Sequence, residues 1–184
     1  SQRSVLWDSD SSTWTAPFIM AGINTRNIRR SNALNAFKYG KDFRYNEVMS
    51  FNKGIRGYFK SKVVQISMGL FVLILKLKSV NWIMRKFILT KPGKGPSKSV
   101  RENGYFNLVL IGKTKSNHIF KARVTSDRDP GYESTAKMIV ESALASIINQ
   151  DTIPLNKGVL TPSIALGLIP IKRLKDKGIR FKII

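Results

Sequence analysis

The segment 105–150 shows a hydrophobic pattern that predicts strand, hairpin turn, strand, tight turn and helix. In Tyr105–Ile111 and in His118–Thr125 apolar residues alternate with polar ones, which is the period of a half-buried strand. Thr114–Asn117 supplies the turn between the two strands. The second strand leads into Asp127–Tyr132, where Pro and Gly favour a reversal of the chain. We therefore expect an antiparallel hairpin followed directly by a helix.

The helix expected after this turn, Ser134–Ile148, has Ser134 as its candidate N-cap. Its apolar residues recur three and four positions apart and form one continuous face: Ala136, Ile139, Val140, Ala143, Leu144, Ile147 and Ile148. Pro170 is placed to begin a short helix, and Ile179–Ile183 alternates as a strand that should pair with the hairpin. The predicted fold class is α+β: an antiparallel or mixed sheet with helices packed on one face, together with a basic amphipathic helical segment.

That amphipathic segment spans residues 63–89. Its first part, Val63–Leu75, is apolar between lysines, and it is shorter than the roughly 20 residues that a membrane-crossing helix needs. The second part adds Trp82, Arg85, Lys86 and Phe87. Such a pattern suits a helix lying in a membrane surface, and the residues expected to insert are Leu70, Phe71, Leu73 and Ile74. The alternative is burial against another part of the protein or in an oligomer.

Length and composition limit the possible classes of protein. The 184 residues predict a single domain, 1–184, with hydrophobic content of 42% that favours a globular fold. The chain has no cysteine and a single histidine, His118, which excludes disulfides, thiolate metal sites and a histidine cluster. No metal site is predicted, and the dispersed carboxylates leave the catalytic residues unknown.

The formal charge of +21 is unevenly distributed, because the only acids between Asp10 and Glu102 are Asp42 and Glu47. A basic surface of this kind attracts nucleic acid, anionic lipid or phosphorylated ligands. A compositional origin of the lysine excess is the alternative. Nucleic acid is the disfavoured partner, because no motif of that class is present and the aromatic residues lie in apolar contexts.

Polar and cationic residues are concentrated near the N-terminal end, after an apolar run, Trp14–Met20, that predicts an edge strand or an extended lead-in. They are Asn24, Arg26, Arg29, Arg30, Ser31 and Asn32. Neighbouring arginines beside small polar groups can hold a phosphate or carboxylate through bidentate hydrogen bonds. Alternatively, these residues cap and solvate a short helix running toward Tyr39.

Several short motifs also carry a resemblance. They are Trp14–Phe18, Ile23–Arg26, Arg29–Leu34, Tyr39–Gly40, Phe43–Tyr45, Asp127–Tyr132, Ser134–Met138 and Gly158–Pro162. In this order they resemble the C-terminal half of the saccharopine dehydrogenase-like oxidoreductases, the group that includes the trans-acting enoyl reductases. The loop Pro92–Ser97 is similar to that family's pattern as well, and it is not a phosphate loop, because no strand precedes it and Pro96 removes a backbone donor.

The resemblance implies the substrate-binding and assembly portion of an NAD(P)-dependent oxidoreductase, with a lipid-linked substrate at a membrane surface. The family's Gly-rich dinucleotide-binding unit has no match here, so the cofactor is expected on a missing N-terminal domain and no cofactor-binding residue is assigned in this chain. Tyr132, at a predicted helix N-terminus, and Thr161 join the six polar residues above as candidate substrate contacts, while packing over the turn is the alternative for Tyr132.

Partners and location follow from the same reasoning. We expect the dinucleotide-binding domain and an anionic membrane surface as partners, and a homodimer is left open. The expected location is cytoplasmic and peripheral to a membrane. A basic nucleic-acid-binding module and a peripheral membrane protein without catalytic activity are the alternatives. The chain alone should neither bind a nicotinamide cofactor tightly nor turn over substrate.

Overall fold

A computed structural model of the chain describes residues 2–77, 80, 82, 86, 93–154 and 157–184. The chain divides into two compact units, Ser1–Lys94 and Gly95–Ile184. Each unit contains a three-stranded antiparallel sheet accompanied by helices, which confirms the α+β fold class. The single domain predicted for 1–184 stays a prediction, because the division does not show whether either unit folds alone.

The sheet of the first unit has the strand order β1 (Leu6–Asp8), β2 (Thr13–Pro17) and β3 (Val48–Phe51). The central strand is β2, in which Thr15 lies opposite both Leu6 and Ser50. The expectation of an edge strand at this point was wrong. Pro17 had suggested an edge, but it is the last residue of β2, where a missing N–H removes at most one bond from the end of the ladder.

Helices α1 and α2 lie in the described part of this unit. Helix α1 (Ala21–Leu34) connects β2 to the segment before β3, and helix α2 (Ile55–Lys76) follows β3 and packs against β2 and β3. By length and composition α2 is the one helix among the described residues that could cross a membrane. It begins well before Val63, where the apolar pattern had placed the start. Of the predicted segment beyond Leu77, only Val80, Trp82 and Lys86 are described.

The sheet of the second unit has the strand order β4 (Phe106–Lys113), β5 (Ile119–Ser126) and β6 (Arg180–Ile183). Strands β4 and β5 form the predicted hairpin, with Phe106 opposite Ser126. The C-terminal strand β6 pairs with β5, with Phe181 opposite Val124. The hairpin and its pairing with the last strand are therefore confirmed.

Four helices complete the second unit: α3 (Lys98–Asn103), α4 (Glu133–Ile148), α5 (Pro162–Leu166) and α6 (Ile169–Asp176). Helix α4 packs against α5 and α6, and the buried apolar residues are Ala145, Leu166, Leu174 and Ile179. Ser134 is not the N-cap of α4, because Tyr132 occupies that position. The buried Ser134 hydroxyl instead bonds to Ser126 Oγ at 2.9 Å and to the Arg128 carbonyl at 3.1 Å.

The faces of α4 are oriented in a way that the periodicity did not predict. The buried residues of the helix are Ser134, Glu141 and Ala145. The continuous apolar face exists as expected, but it is directed outward, with Ile139 and Ile147 exposed by 64% and 65%. The second unit therefore leaves an apolar helix face uncovered by its own residues.

Candidate functional site

Helix α1 presents three arginines, Arg26, Arg29 and Arg30, at its surface. Their spacing of three and four residues brings them to one side of the helix, since 3.6 residues make a turn. The helix is anchored to its unit by other residues, among them the buried Ala21 and Thr25. A row of guanidinium groups exposed in this way can bind a phosphate or carboxylate bidentately.

Asn24 lies on a different side of α1 from this row, and it is held by Glu47. Its amide Nδ2 donates to Glu47 Oε2 at 2.7 Å, and the Tyr45 hydroxyl donates to Glu47 Oε1 at 2.7 Å. Burial, the hydrogen bond to Glu47 and the charge of that carboxylate raise the pKa of Tyr45 well above its ordinary value. Tyr45 therefore stays a neutral donor at physiological pH, and Glu47 joins α1 to the segment that leads into β3.

Two other predicted contact residues, Ser31 and Asn32, are buried in the fold. The Ser31 hydroxyl donates to the Asn27 carbonyl at 2.9 Å, within the helix. The Asn32 amide makes two hydrogen bonds to the loop that follows α1. Its Nδ2 donates to the Gly40 carbonyl at 2.9 Å, and its Oδ1 accepts from the Tyr39 N–H at 3.0 Å. These bonds give both side chains a local structural role, and their predicted contact with substrate stays a prediction.

In the second unit, the turn Asp127–Tyr132 is fastened to α3 and its neighbours. Asp129 Oδ2 accepts from the Tyr132 N–H at 2.6 Å, and the Asp129 N–H donates to the Arg101 carbonyl at 3.1 Å. A Cβ on Gly104 would lie 2.6 Å from the Asp129 Cα, so only glycine permits this approach. The Asp129 carboxylate is therefore used to close its own turn.

The ring of Tyr132 lies over Gly95, because a Cβ at Gly95 would come within 3.1 Å of the ring edge. This contact joins two of the motifs that the sequence had singled out. It agrees with the packing alternative for Tyr132, although the side chain remains 53% exposed. Thr161 is buried at the start of α5, where its carbonyl accepts from the Ile164 and Ala165 N–H groups.

Sequence reasoning missed one charged cluster of the second unit. Glu141 is only 5% exposed, and its carboxylate accepts from Arg173 at 2.8 and 2.9 Å and lies 3.9 Å from Lys177 Nζ. The apolar periodicity of α4 does not include Glu141 and gave no sign of its burial. For Glu47, by contrast, the sequence contains a feature that could have marked it, since it is one of two acids in the long basic stretch between Asp10 and Glu102.

Known relatives cover nearly the whole chain. A Mycobacterium tuberculosis protein named provisionally as a trans-acting enoyl reductase is 38% identical over 169 residues, which are 90% of this chain and 40% of that protein. A trans-acting enoyl reductase of Mycobacterium bovis is 32% identical over the same shares. The chain is a partial homologue of the trans-acting enoyl reductases.

A third enoyl reductase, from Mycobacterium ulcerans, is 33% identical over 168 residues. This chain spans about 40% of the length of the curated relatives that it matches. No protein-family profile and no solved structure matches it. The wider saccharopine dehydrogenase-like grouping stays a prediction.

Enoyl reductase homology implies a nicotinamide cofactor in the family, and the residues described here do not fit one. A dinucleotide binds at the carboxyl ends of parallel strands, beside a Gly-rich turn that opens a helix. Both sheets of the described residues are antiparallel. No group of three or more His, Cys, Asp or Glu residues that could hold a metal occurs among them either.

Proposed function

We propose that this chain is the substrate-binding and assembly portion of an NAD(P)-dependent enoyl reductase that acts on a lipid-linked substrate at a membrane surface. The homology over 90% of the chain and 40% of the relatives supports a portion of such an enzyme. The cofactor is assigned to a domain that corresponds to the unmatched part of the relatives. The antiparallel sheets support this division of roles.

The observation that carries the assembly role is the outward apolar face of α4. Ile139, Val140 and Ile147 are each more than half exposed, and they lie opposite the buried residues Glu141 and Ala145. The centre of this face, between Ile139 and Val140 around the helix, carries no charged residue, which is typical of the centre of a protein interface. An outward face of this kind supports packing against the cofactor domain.

The substrate role is assigned to the arginine row of α1. Arg26, Arg29 and Arg30 are exposed on one side of the helix, and the bond of Asn24 to Glu47 holds another side of the same helix to the segment before β3. The row has the geometry for the phosphate of a carrier or the head group of a lipid-linked substrate. In this assignment the row binds and orients the substrate without taking part in the chemistry.

A chimeric enzyme tests the proposal. This chain would replace the matched region of the Mycobacterium bovis reductase, and NADPH binding would be measured by nicotinamide fluorescence and turnover by NADPH oxidation with an enoyl thioester. We expect the chimera to bind NADPH and to reduce the thioester.

Replacing Arg26, Arg29 and Arg30 of the chimera by Gln should raise KM about tenfold or more with little change in kcat, since the row contributes binding energy.

The matched control replaces Lys38 and Lys41, two exposed cations in the loop after α1, by Gln. It should leave KM unchanged. Equal effects of the two sets would contradict a specific substrate role for the arginine row. A chimera that folds by circular dichroism but does not bind NADPH would contradict the assembly role.

A further inference from the structure

One side of α2 forms a continuous apolar stripe that no described residue of the first unit covers. Its members are all exposed and follow one another at intervals of three and four residues: Ile55, Phe59, Val63, Ile66, Leu70, Leu73 and Leu77. Residues at these intervals share one side of a helix. The stripe runs along the full length of α2, which at 22 residues is about 33 Å.

The opposite side of α2 is fastened to the unit, so the direction of the stripe is fixed. Gly57 and Ser61 are the buried residues of the helix, and a Cβ on Gly57 would lie 1.7 Å from the Asn52 carbonyl oxygen. Gln65 Oε1 accepts from the Val5 N–H at 3.2 Å, one turn further along. The packed side therefore faces the sheet, and the stripe faces away from it.

Cations border the stripe on both sides. At 3.6 residues per turn, Arg56 and Lys60 fall on one flank and Lys62 on the other. Helix α2 contains no acid, and the only acids between Asp10 and Glu102 are Asp42 and Glu47. Long basic side chains beside an apolar stripe are suited to reach lipid head groups while the stripe is buried.

An aromatic cluster lies at the start of the stripe. The rings of Trp7 and Trp14 pack edge to face with their centroids 5.4 Å apart, and the centroids of Trp14 and Tyr58 are 4.9 Å apart. Together with Ile55, these three rings line a shallow open cleft. Trp7 is 46% exposed. Tryptophan and tyrosine are enriched at the level of lipid head groups, because their rings are amphipathic.

We propose that α2 docks side-on, through this stripe, onto the surface of an anionic lipid bilayer. The inference rests on the membrane-surface part of the proposed function and names its contact. Two copies meeting through the stripe would bring their flanking cations together, which disfavours self-association. The sheet bound along α2 also opposes crossing, since the open sheet edges cannot enter the hydrocarbon.

The absence of cysteine allows the docking geometry to be tested by single-cysteine labelling. An environment-sensitive fluorophore would be placed at Val63 or Leu70, on the stripe, and at Val72, which is 48% exposed but lies toward the packed side. On phosphatidylcholine vesicles containing phosphatidylserine, the stripe positions should shift to the blue and be quenched by nitroxide in the acyl chains. The label at Val72 should be quenched by nitroxide at the head group instead.

Vesicle co-sedimentation provides the second measurement. Ile66→Asp with Leu70→Asp should weaken binding about tenfold or more, whereas Val72→Asp should change it less than about twofold. Lys60→Gln with Lys62→Gln should reduce the steepness of the salt dependence, because fewer charges face the anionic lipid. Vesicles of phosphatidylcholine alone should bind weakly.

Several outcomes would overturn the inference. Equal quenching at Leu70 and Val72 deep in the acyl chains would indicate insertion of the whole helix. An absence of binding to phosphatidylserine vesicles at low salt would exclude docking. Dimers in sedimentation velocity that Leu70→Asp dissociates would assign the stripe to a second copy. These measurements need neither cofactor nor substrate, so an inactive chimera and a chain that fails to dock are distinguishable results.

Discussion

At the scale of single residues, Glu141 is the most deeply buried charged residue in the part of the chain that the structure describes. It is 5% exposed and bonded to Arg173 at 2.8 Å. Removing one partner of a buried pair leaves the other charge without compensation. The Arg173 side chain keeps 24% exposure, which lets water offset part of that loss.

We expect Glu141→Ala to lower the free energy of unfolding by about 2–3 kcal/mol in urea denaturation. Glu133→Ala is the matched control, since Glu133 pairs with Arg101 at 2.9 Å but both side chains are about a third exposed. That control should cost less than about 1 kcal/mol. Similar losses for the two variants would show that the burial of Glu141 does not matter.

Tyr45 gives a prediction about pH. Its pKa is raised in the folded chain by burial and by Glu47, so the neutral phenol stabilises the fold at all pH values below its unfolded pKa of about 10. This stability is lost as the pH rises above that value. Of the 5 tyrosines, Tyr45 should therefore remain protonated when exposed phenols ionise.

The measurement is the phenolate absorbance of the folded chain and of Tyr45→Phe during alkaline titration. The two proteins should titrate alike while they stay folded, and they should differ by one phenol once urea unfolds them. A full phenol of difference in the folded state near pH 10 would contradict the raised pKa.

At the scale of elements, two glycines of α2 allow the effect of packing on stability to be measured apart from the effect of helix propensity. Gly57 faces the Asn52 carbonyl with no room for a Cβ, whereas Gly69 has nothing within 4 Å of its Cβ position. Gly57→Ala should lower the free energy of unfolding by about 1–3 kcal/mol through overpacking of α2 on its unit. Gly69→Ala should raise it by up to about 1 kcal/mol, because alanine favours helix.

Thermal or urea unfolding, with a probe at Trp14, would report both variants, because Trp14 contacts Tyr58 of α2. Equal effects of the two substitutions would mean that α2 is not held at Gly57.

Helix α2 also shows which of the residues expected to insert into a membrane lie on the exposed stripe. Of the four residues expected to insert, Leu70 and Leu73 lie on the stripe, whereas Phe71 and Ile74 fall beside it.

At the scale of the whole molecule, the antiparallel sheets and the 40% coverage of the relatives lead to a prediction about the cofactor. The chain alone should show no NADPH binding in the micromolar range, because the part of it that the structure describes supplies no Gly-rich turn between parallel strands. Titration with NADPH, followed by nicotinamide fluorescence, is the measurement. Micromolar affinity would place the cofactor in this portion of the family.

Local sequence patterns were sufficient to predict most of the second unit, because the β4–β5 hairpin, helix α4 and strand β6 each follow from a periodicity that neighbouring residues create. Motifs that are contiguous in the chain also indicated the homology to the trans-acting enoyl reductases. Helix boundaries and caps were less well specified. Ser134 has the chemistry of an N-cap, yet a buried bond to Ser126 competes for its hydroxyl.

Only the tertiary structure decided which faces are covered. The apolar face of α4 points outward because its polar face is held by Glu141 on Arg173, and no local pattern records a partner 32 residues away. The direction of the α2 stripe is set in the same way, because Gly57 and Gln65 hold the other side of the helix against the first unit. Periodicity specifies that a face exists, whereas its partner depends on long-range contacts that the pattern does not contain.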